Sequence, residues 1–533
     1  MGAATHNIPG APAAPTWPAG SSSIPAAPAD IASLWAHVAA RTPVVLLAGR
    51  GAADHPAASA SPQHQHLLTL TPAALAAAAG HVAVAVETRA GADASFGQGT
   101  QAALPFGVAL ARLAADHSLY LSAQAPPRPG RGNLPVPVGE LALALATPSP
   151  AAPGGLIPVR PALAGGLVLA ALNLWVGGAA AASRLHADAH DNLLGVVAGV
   201  KTVTLFPPRA VGDLATVGRP VRVWPNGRLV FAGEGEGAGP DGACEAGLAE
   251  AAARAAQRAA VAAVEGGGTD AEEEAALEAA LEAGVDGLDD FGEEEEEEEG
   301  NRPSTTPPTF SRADLARPAS VRAAFPAFPW SLGRTVALTP GQTLYIPAGW
   351  FHFVQSAPEK RGRRGGRQPA SPSPGWAGLH CAVNHWFHPP DAADEGGPGA
   401  PYSRPYWAGV WAEALDACPR LRAAVEAQQE GGGQVVAAPP PPTPVQPPPP
   451  TPVQPPAARP SGQAVPASAD GIDTAMALMR AGLTGLAAFD AGGRAALRKE
   501  RRMVVLQALA GRRTRHGAGC ALPWLKRRRA AWW

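Results

Sequence analysis

The sequence predicts a mainly β protein with flanking helices, an α+β chain whose core is a double-stranded β-helix, or jelly-roll. From Gly166 onward, short strand-patterned segments separated by Gly and Pro follow one another, as is typical of antiparallel sandwiches and barrels. Helix and strand patterns alternate before that point. Gly (61 residues) and Pro (59 residues) exceed a fifth of the 533-residue chain, so much of the remaining length is not expected to pack.

The flanking helices are predicted near the N-terminus. Residues 1–28 are rich in Ala, Pro, Ser and Gly, and we expect them to be disordered. Beyond them, Thr71 is a candidate N-cap because it precedes Pro72 and an apolar run. The patterns predict helices over residues 31–40, 71–79 and 105–115, and strands over residues 43–47, 81–86 and 118–121.

The second half of the pattern is almost entirely β. Apolar segments of four to eight residues, rich in Val, Ile, Leu and aromatic residues, are bounded by Gly and Pro turns. They predict seven strands, over residues 172–176, 192–198, 201–206, 334–338, 343–346, 352–356 and 380–386. Residues 404–428 are then expected to be helical.

One domain is predicted over residues 29–428, interrupted by two segments of biased composition. The longer one, residues 233–303, is a low-complexity acidic insertion that contains the unbroken glutamate run 293–299. A solvated, mostly disordered surface loop is the favoured interpretation, and an acidic clamp for a basic substrate is the alternative. Residues 360–373 are rich in Gly and Arg and predict a second loop.

Two further segments follow the predicted domain. Residues 429–468 repeat Pro-Pro-Thr-Pro-Val-Gln and predict an extended polyproline linker. Residues 469–533 predict a helical segment with a basic tail. A nuclear-localisation patch and a solvated helix end explain this tail equally well.

The overall charge gives no indication that the protein binds a polyanion. The net charge of −2 predicts neither nucleic-acid binding nor attachment to an anionic membrane. Residues 161–183 are uncharged and long enough to span a bilayer. They contain four glycines and Asn173, however, and lead directly into a cluster of ionisable residues, so no membrane span is expected.

The cysteines indicate a reducing compartment. Cys244, Cys381, Cys418 and Cys520 lie far apart without any C-x-x-C pair, which suits neither a disulfide framework nor a zinc finger. No Lys or Arg precedes Arg41, which argues against a secretory or transit leader. A cytoplasmic location, a nuclear one, or both are therefore expected.

Two histidines and one aspartate predict a metal site. His186 and Asp188 form an H-x-D pair, and alternate residues of an extended strand point to the same face. His352 follows a second strand-like segment much further along the chain. Two imidazoles and one carboxylate leave coordination positions open, the arrangement that non-haem Fe(II) oxygenases use.

A lysine in the predicted core indicates an anion site. Lys201 shares a strand face with Val203 and Leu205 by the two-residue period. A buried ammonium among apolar neighbours is costly unless an anion meets it. An edge-strand lysine facing solvent is the alternative.

The ordered set of motifs resembles the JmjC branch of the cupin superfamily, and within it most closely the small JmjC lysyl hydroxylase group. The resemblance includes Asn-Leu-Trp-Val-Gly over residues 173–177, the H-x-D pair, the segment 338–347 before His352, and Val-Asn-His-Trp-Phe over residues 383–387. It extends from about Asp30 to about Trp411, interrupted by the insertion.

This resemblance implies an Fe(II)- and 2-oxoglutarate-dependent dioxygenase with a cupin-like jelly-roll, using O₂ as second cosubstrate. Iron would be held by His186, Asp188 and His352, and Lys201 would meet the far carboxylate of 2-oxoglutarate. By the same resemblance, the other residues that hold the cosubstrate are Tyr120, Ser183, Asn192 and Asn384.

Neighbouring residues receive other roles. His190 and His385 match no ligand position of the family. His385 departs from the aromatic or aliphatic residue that is common there, and strand alternation predicts that it points away from the cavity. Trp350 and Phe351 are expected to be packing residues.

The function expected from the resemblance is hydroxylation of a protein side chain, in particular a lysyl one, with release of succinate and CO₂. An Nε-methyl-lysine demethylase and a tRNA-base hydroxylase are the enzyme alternatives, and a non-catalytic jelly-roll binding module is the alternative from another class. The expected partner is a protein or peptide; nucleic-acid binding is disfavoured, and oligomerisation is left open.

Overall fold

The computed structural model describes most of the predicted domain. The described residues are 24–47, 67, 69–89, 99–122, 139–249, 306–358 and 375–431, apart from a few single positions between 151 and 246. All of them belong to one compact unit. Predictions for residues 1–23, most of the acidic insertion, the Gly/Arg-rich loop, the polyproline linker and the C-terminal segment 469–533 lie outside the described residues.

Sixteen strands and eight α-helices are present in the described part of the chain. The strands are β1 (Ala26–Pro28), β2 (Val44–Leu47), β3 (Ala83–Thr88), β4 (Thr100–Pro105), β5 (Leu119–Ser122), β6 (Leu169–Gly177), β7 (Ala181–Ala182), β8 (His186–Ala187), β9 (Asp191–Ala198), β10 (Val200–Phe206), β11 (Pro220–Val223), β12 (Leu229–Phe231), β13 (Arg334–Leu338), β14 (Gln342–Ile346), β15 (Phe351–Ala357) and β16 (His380–Phe387). The helices are Ile31–Ala40, Pro72–Ala79, Phe106–Ala115, Glu140–Ala146, Pro318–Ala324, Ala393–Gly396, Tyr406–Ala417 and Pro419–Gly431.

Two sheets form the jelly-roll that the sequence predicts. The larger has nine strands in the order β1-β2-β14-β9-β16-β6-β5-β3-β4, and the smaller has the order β13-β10-β15-β7, with β8 beside β15. Val196 of β9, Val203 and Leu205 of β10, and Leu344 of β14 belong to one buried cluster, so the two sheets pack face to face. A separate hairpin joins β11 to β12.

Helices cover the outer face of the larger sheet. Leu172, Leu174 and Val176 of β6 share a buried cluster with residues of the helices Glu140–Ala146 and Tyr406–Ala417. Because side chains alternate along a strand, Asn173 and Trp175 of β6 point to the opposite face, into the jelly-roll. Asn173 therefore enters the interior from a strand whose other face is closed by helices.

The structure confirms the seven predicted strands of the second half, with ends that shift by a few residues. Gly199, which turns the chain between β9 and β10, has φ +75, a conformation that glycine adopts without strain. The predicted N-cap is also present, since the Thr71 hydroxyl accepts a hydrogen bond of 3.1 Å from the Ala74 amide.

Several predicted boundaries were wrong. Residues 26–28, assigned to a disordered N-terminus, form β1 beside β2. The helix expected over 404–428 is two helices, because Pro419 lacks an amide hydrogen and starts a new one. The strand β4 and the helix Glu140–Ala146 were not predicted; the alternating Leu and Ala of that helix resemble a strand pattern as much as a helical one.

The acidic insertion starts later than residue 233. Asp241 and Ala243 are buried, and the Trp407 indole donates a hydrogen bond of 3.0 Å to the Asp241 carbonyl. The first residues of the segment are thus packed against the C-terminal helices, which low sequence complexity does not reveal. No helix in the described part of the chain is long and apolar enough to cross a membrane.

Candidate metal and cosubstrate site

The three predicted metal ligands converge at one end of the jelly-roll. One ligand atom from each of His186, Asp188 and His352 lies within 4.8 Å of the others. The Asp188 carboxylate is 3.8 Å from His186 Nε2 and 3.4 Å from His352 Nε2. Each of the three side chains is at most 17% exposed.

Strand pairing brings these distant residues together. His186 of β8 lies directly opposite His352 of β15 in the antiparallel register. Asp188 follows β8 and is held from the other side, because the Gly349 amide donates a hydrogen bond of 2.9 Å to its backbone carbonyl. Two backbone connections between the same segments therefore fix the three side chains.

Both imidazoles are oriented by backbone carbonyls. His186 Nδ1 lies 2.7 Å from the carbonyl of Arg184, and His352 Nδ1 lies 3.1 Å from the carbonyl of Trp350. A carbonyl only accepts hydrogen bonds, so each Nδ1 carries the proton and each Nε2 presents a lone pair. Both lone pairs are on the ring nitrogens nearest Asp188, as a metal ion requires.

The electrostatics also suit a cation. Burial lowers the pKa of His186 to about 4, and the neighbouring His352 adds to the effect, so His186 is neutral at physiological pH. Asp188 Oδ2 is buried and has no hydrogen-bond partner among the described residues. A buried carboxylate oxygen without a donor is costly, and a divalent cation between it and the two Nε2 atoms would satisfy it.

A phenylalanine from beyond the insertion closes the site on one side. The Phe310 ring stacks on His186 with centroids 4.8 Å apart and an interplanar angle of 15°. The Ser311 amide donates to the Leu185 carbonyl at 2.8 Å, which holds this segment against β8. The Arg184 guanidinium lies 5.6 Å from the Phe310 centroid. The chain that returns from the insertion is thus part of the site's wall.

Lys201 is buried inside the jelly-roll, as its strand period predicts. Its side chain is in the interior with 3% of the residue exposed, and its ammonium donates a hydrogen bond of 2.7 Å to the Ser356 hydroxyl. Burial lowers the pKa of Lys201 to about 8. Ser356 lies four residues after His352 on β15, so both side chains point to the same face. Lys201 and the metal ligands therefore open into one interior.

Two of the predicted cosubstrate residues also lie in this interior. Asn192 and Asn384 are each 4% exposed. Asn384 Oδ1 accepts a hydrogen bond from the Trp175 indole. Asn192 Oδ1 has no partner among the described residues, and neither has Nδ2 of Asn173, which lies opposite Asn384 in the sheet. One unsatisfied acceptor and one unsatisfied donor suit a bound polar molecule.

The remaining predicted cosubstrate residues flank these groups. The Ser183 hydroxyl accepts a hydrogen bond of 3.0 Å from the Val354 amide of β15, so it is fixed two residues from His352. Tyr120 is buried, which raises the pKa of its phenol, and its ring centroid lies 6.4 Å from that of Trp175. Both residues adjoin the cavity, and their contact with the cosubstrate stays a prediction.

The residues assigned other roles lie where the sequence predicts. His385 Nε2 is 2.8 Å from the Pro158 carbonyl, on the opposite strand face from Asn384. Trp350 and Phe351 are 2% and 0% exposed and pack in two different buried apolar clusters. His190 stacks on an indole instead of joining the metal ligands.

Sequence reasoning missed several residues around the site. Ser356 carried a usable signal, because four positions after His352 on a strand is the same face. Asp191 is fully buried and bonded to Arg41; its only sequence signal is an acidic residue at the start of an apolar strand. Phe310 carried none, since its partner His186 lies on the other side of the insertion.

The comparisons with known proteins agree with this geometry. A family model described as a cupin-like domain matches residues 32–393, more than half of the chain. The JmjC domain-containing protein 4 of Schizosaccharomyces pombe is 25% identical over 288 residues, which cover 44% of this chain and 58% of the relative. The chain thus spans less than two-thirds of that relative's length. The chain therefore belongs to the cupin-like domain family, and its jelly-roll is a JmjC-type cupin domain.

Proposed function

We propose that the chain is an Fe(II)- and 2-oxoglutarate-dependent dioxygenase that hydroxylates a protein side chain, in particular a lysyl one. The observation that carries the proposal is the convergence of His186, Asp188 and His352, whose Asp188 Oδ2 accepts no hydrogen bond from the described residues, in the interior that also holds Lys201. Two imidazoles and one carboxylate would hold a divalent metal and would leave coordination positions open for cosubstrates.

The chain's own residues divide the work. The backbone carbonyls of Arg184 and Trp350 keep each histidine in the tautomer that binds a metal. Lys201 offers a charge to an anion at the far end of the cavity, and Ser356 holds that ammonium in place. Phe310 shields His186 from water. When bound there, Fe(II) with 2-oxoglutarate and O₂ supplies the oxidising power that inserts oxygen into a C–H bond, with succinate and CO₂ as coproducts.

The placement of the two anchors on neighbouring strands suits a small dicarboxylate. His352 and Ser356 are four residues apart on β15, so their Cα atoms are ~13 Å apart at the usual rise of a strand. The Lys201 side chain extends from the strand that pairs with β15 at Ser356. A dicarboxylate held at His186, Asp188 and His352 through one end would have its other carboxylate free to meet that ammonium.

The alternative functions require different features of the chain. A demethylase would use the same site on an N-methyl group, but the four separated cysteines offer no zinc-binding module of the kind that accompanies many demethylases. A tRNA-base hydroxylase would want a strongly basic surface, and the net charge of −2 does not favour one. A binding module without catalysis would not need three oriented ligands. These considerations favour a protein substrate, acted on in the cytoplasm or the nucleus.

The test uses the purified full chain with Fe(II), 2-oxoglutarate and O₂, incubated with peptide pools and with tRNA. Mass spectrometry should show a peptide mass gain of one oxygen together with succinate. Loss of a methyl group would favour the demethylase, and oxygen gain in tRNA would favour the base hydroxylase.

Two variants make this test specific. Asp188→Ala should abolish turnover because it removes the carboxylate ligand. Asp213→Ala is the matched control, since Asp213 is exposed and remote in sequence from the ligands. Undiminished turnover in Asp188→Ala would overturn the proposal.

A further inference from the structure

A buried ion pair lies behind the metal ligands. Arg41 ends the helix Ile31–Ala40 in a left-handed conformation with φ 52. Its guanidinium donates two hydrogen bonds to Asp191, of 2.8 Å to Oδ2 and 2.6 Å to Oδ1. The Arg41 side chain is 12% exposed and that of Asp191 is 0% exposed. The pair is bidentate, with two parallel hydrogen bonds that hold the guanidinium and the carboxylate in one plane.

The same carboxylate holds the chain segment that precedes His352. Asp191 accepts a further hydrogen bond of 2.6 Å from the Tyr345 hydroxyl and one of 2.9 Å from the Ala348 amide. All of its acceptor positions are thus directed at Arg41 or at residues 345–348. A single carboxylate therefore fixes the end of β14 and the turn that follows it, residues 347–350.

Arg41 adds contacts on the other side of that turn. Its Nε donates a hydrogen bond of 2.8 Å to the Asn226 carbonyl, at the tip of the β11–β12 hairpin. Its own carbonyl accepts a hydrogen bond of 3.1 Å from the Trp350 indole. The turn is consequently held between the N-terminal helix, the hairpin and β9.

This turn contacts two of the three metal ligands, Asp188 and His352. Gly349 donates its amide to the Asp188 carbonyl, and the Trp350 carbonyl orients the His352 imidazole. Asp191 itself follows Asp188 by three residues. The position of the turn therefore sets both the separation of Asp188 from His352 and the rotation of the His352 ring.

We infer that Arg41, Asp191 and Tyr345 are positioning residues that set the geometry of the metal ligands without touching the metal. A buried ion pair contributes little net stability compared with apolar packing, so geometric specificity is the more direct reason for one at this place. The inference rests on the proposed function only in assuming that the triad binds a divalent metal. The residue types agree, because a planar guanidinium and a carboxylate hold a fixed mutual orientation.

The experiment compares Asp191→Asn with a chemically matched control, Asp241→Asn. Asp241 is also a fully buried carboxylate; it accepts a backbone amide hydrogen bond from Ala243 and lies 3.5 Å from Arg404. It does not contact the turn before His352. Tyr345→Phe is the milder variant, because it removes only the hydroxyl, which donates to Asp191 and accepts from Arg41 at 3.1 Å, and keeps the ring and the charge pair.

Metal affinity is measured by titrating the full chain with Co(II) and Mn(II) without cosubstrates, and thermal unfolding is recorded beside it. We expect Asp191→Asn to weaken metal binding by roughly 10- to 100-fold, the range seen when groups that orient ligands are removed. The visible Co(II) spectrum should change as well, because the ligand geometry changes. Asp241→Asn should lower the unfolding temperature but leave the metal dissociation constant within about twofold of the unsubstituted protein.

The outcomes separate this inference from the proposed function. If the unsubstituted protein binds no metal stoichiometrically, the proposed function fails. If it binds metal and both Asp191→Asn and Tyr345→Phe bind with unchanged affinity and spectrum, the inference fails alone. If Asp191→Asn does not fold, Tyr345→Phe decides: weaker binding with a changed spectrum supports the positioning role, and unchanged values overturn it.

Discussion

The Lys201 ammonium donates its hydrogen bond to the Ser356 hydroxyl, inside a cavity where no carboxylate of the described residues forms an ion pair with it. A buried cation with a single neutral partner is poorly compensated, and burial accordingly lowers its pKa to about 8. The arrangement therefore favours any ligand that brings a negative charge to Lys201.

The affinity for 2-oxoglutarate should depend on pH through Lys201. The ammonium form binds the far carboxylate, so the dissociation constant should be nearly constant below pH 8 and rise above it, by up to about tenfold per pH unit. The stability of the protein without ligands should change with pH in the opposite direction to the affinity. The unfolded chain, with the ordinary lysine pKa of 10.5, binds more protons than the folded chain between pH 8 and 10.5. The free energy of unfolding therefore rises with pH in that range. Calorimetric titration with Mn(II) present, in buffers of different ionisation enthalpy, checks the proton uptake.

Lys201→Ala is the variant for this prediction. We expect it to weaken 2-oxoglutarate binding by roughly 30-fold or more, ~2 kcal/mol, and to remove the break near pH 8. Metal affinity should be retained, and titrating Mn(II) separately checks this. A Lys201→Ala protein with an unchanged dissociation constant for 2-oxoglutarate would contradict the assignment of the anion site.

Ser356→Ala should shift the same break to lower pH. Without the hydroxyl, the ammonium loses the side-chain acceptor that it has among the described residues, so the pKa of Lys201 falls further. Thr204→Ala is the control, because Thr204 lies on the same strand as Lys201 but its hydroxyl bonds to Thr335. The pH dependence of 2-oxoglutarate affinity measures both, and coincident breaks in Ser356→Ala and the unsubstituted protein would refute the coupling.

Gly349→Ala should destabilise the protein more than Gly378→Ala. Both glycines have positive φ, of 78 and 79, so alanine costs roughly 1–2 kcal/mol at either position. At Gly349 a Cβ would also lie 1.8 Å from the Gly227 carbonyl oxygen, whereas at Gly378 it meets nothing within 4 Å. We expect about 1–3 kcal/mol of additional loss at Gly349.

Denaturant unfolding measures this difference between the two alanine variants. Gly349→Ala should also weaken metal binding, because the new Cβ displaces the turn whose amide, at residue 349, donates to the Asp188 carbonyl. Equal free energies of unfolding for the two variants would show that the close approach of residue 349 to the Gly227 carbonyl relaxes without a cost in stability.

A divalent metal should stabilise the folded chain. A metal that binds only the native state raises the free energy of unfolding by about 2.7 kcal/mol at a concentration 100 times its dissociation constant. Thermal unfolding with and without Mn(II) measures the effect. Asp188→Ala should abolish it, and an equal upward shift in that variant would point to binding elsewhere.

Local pattern predicted the interior of the jelly-roll well. Alternation placed Lys201 inward and His385 outward from strand period alone, because a strand offers only two faces. The H-x-D spacing likewise placed His186 and Asp188 near one another. The sequence predicted correctly those side-chain orientations that depend only on neighbouring residues of the same strand.

The sequence did not predict contacts between residues that lie far apart along the chain. Asp191 and Arg41 are each ordinary in their own segments, and their ion pair exists only because the N-terminal helix ends beside β9. Phe310 reaches His186 after an insertion of biased composition. The boundary near residue 233 failed for the same reason, since Asp241 is buried by a helix much further along the chain.

The pairing of the two central strands has a consequence for how the chain assembles during synthesis. β9 pairs with β14 and β16, and β10 pairs with β13 and β15, so all four neighbours of these strands follow the insertion. Closing a longer loop adds little to the entropic cost at equilibrium. During translation, however, β9 and β10 leave the ribosome with both edges open and must wait for the whole insertion before any partner exists. The insertion thus delays the maturation of the nascent protein far more than it weakens the finished one.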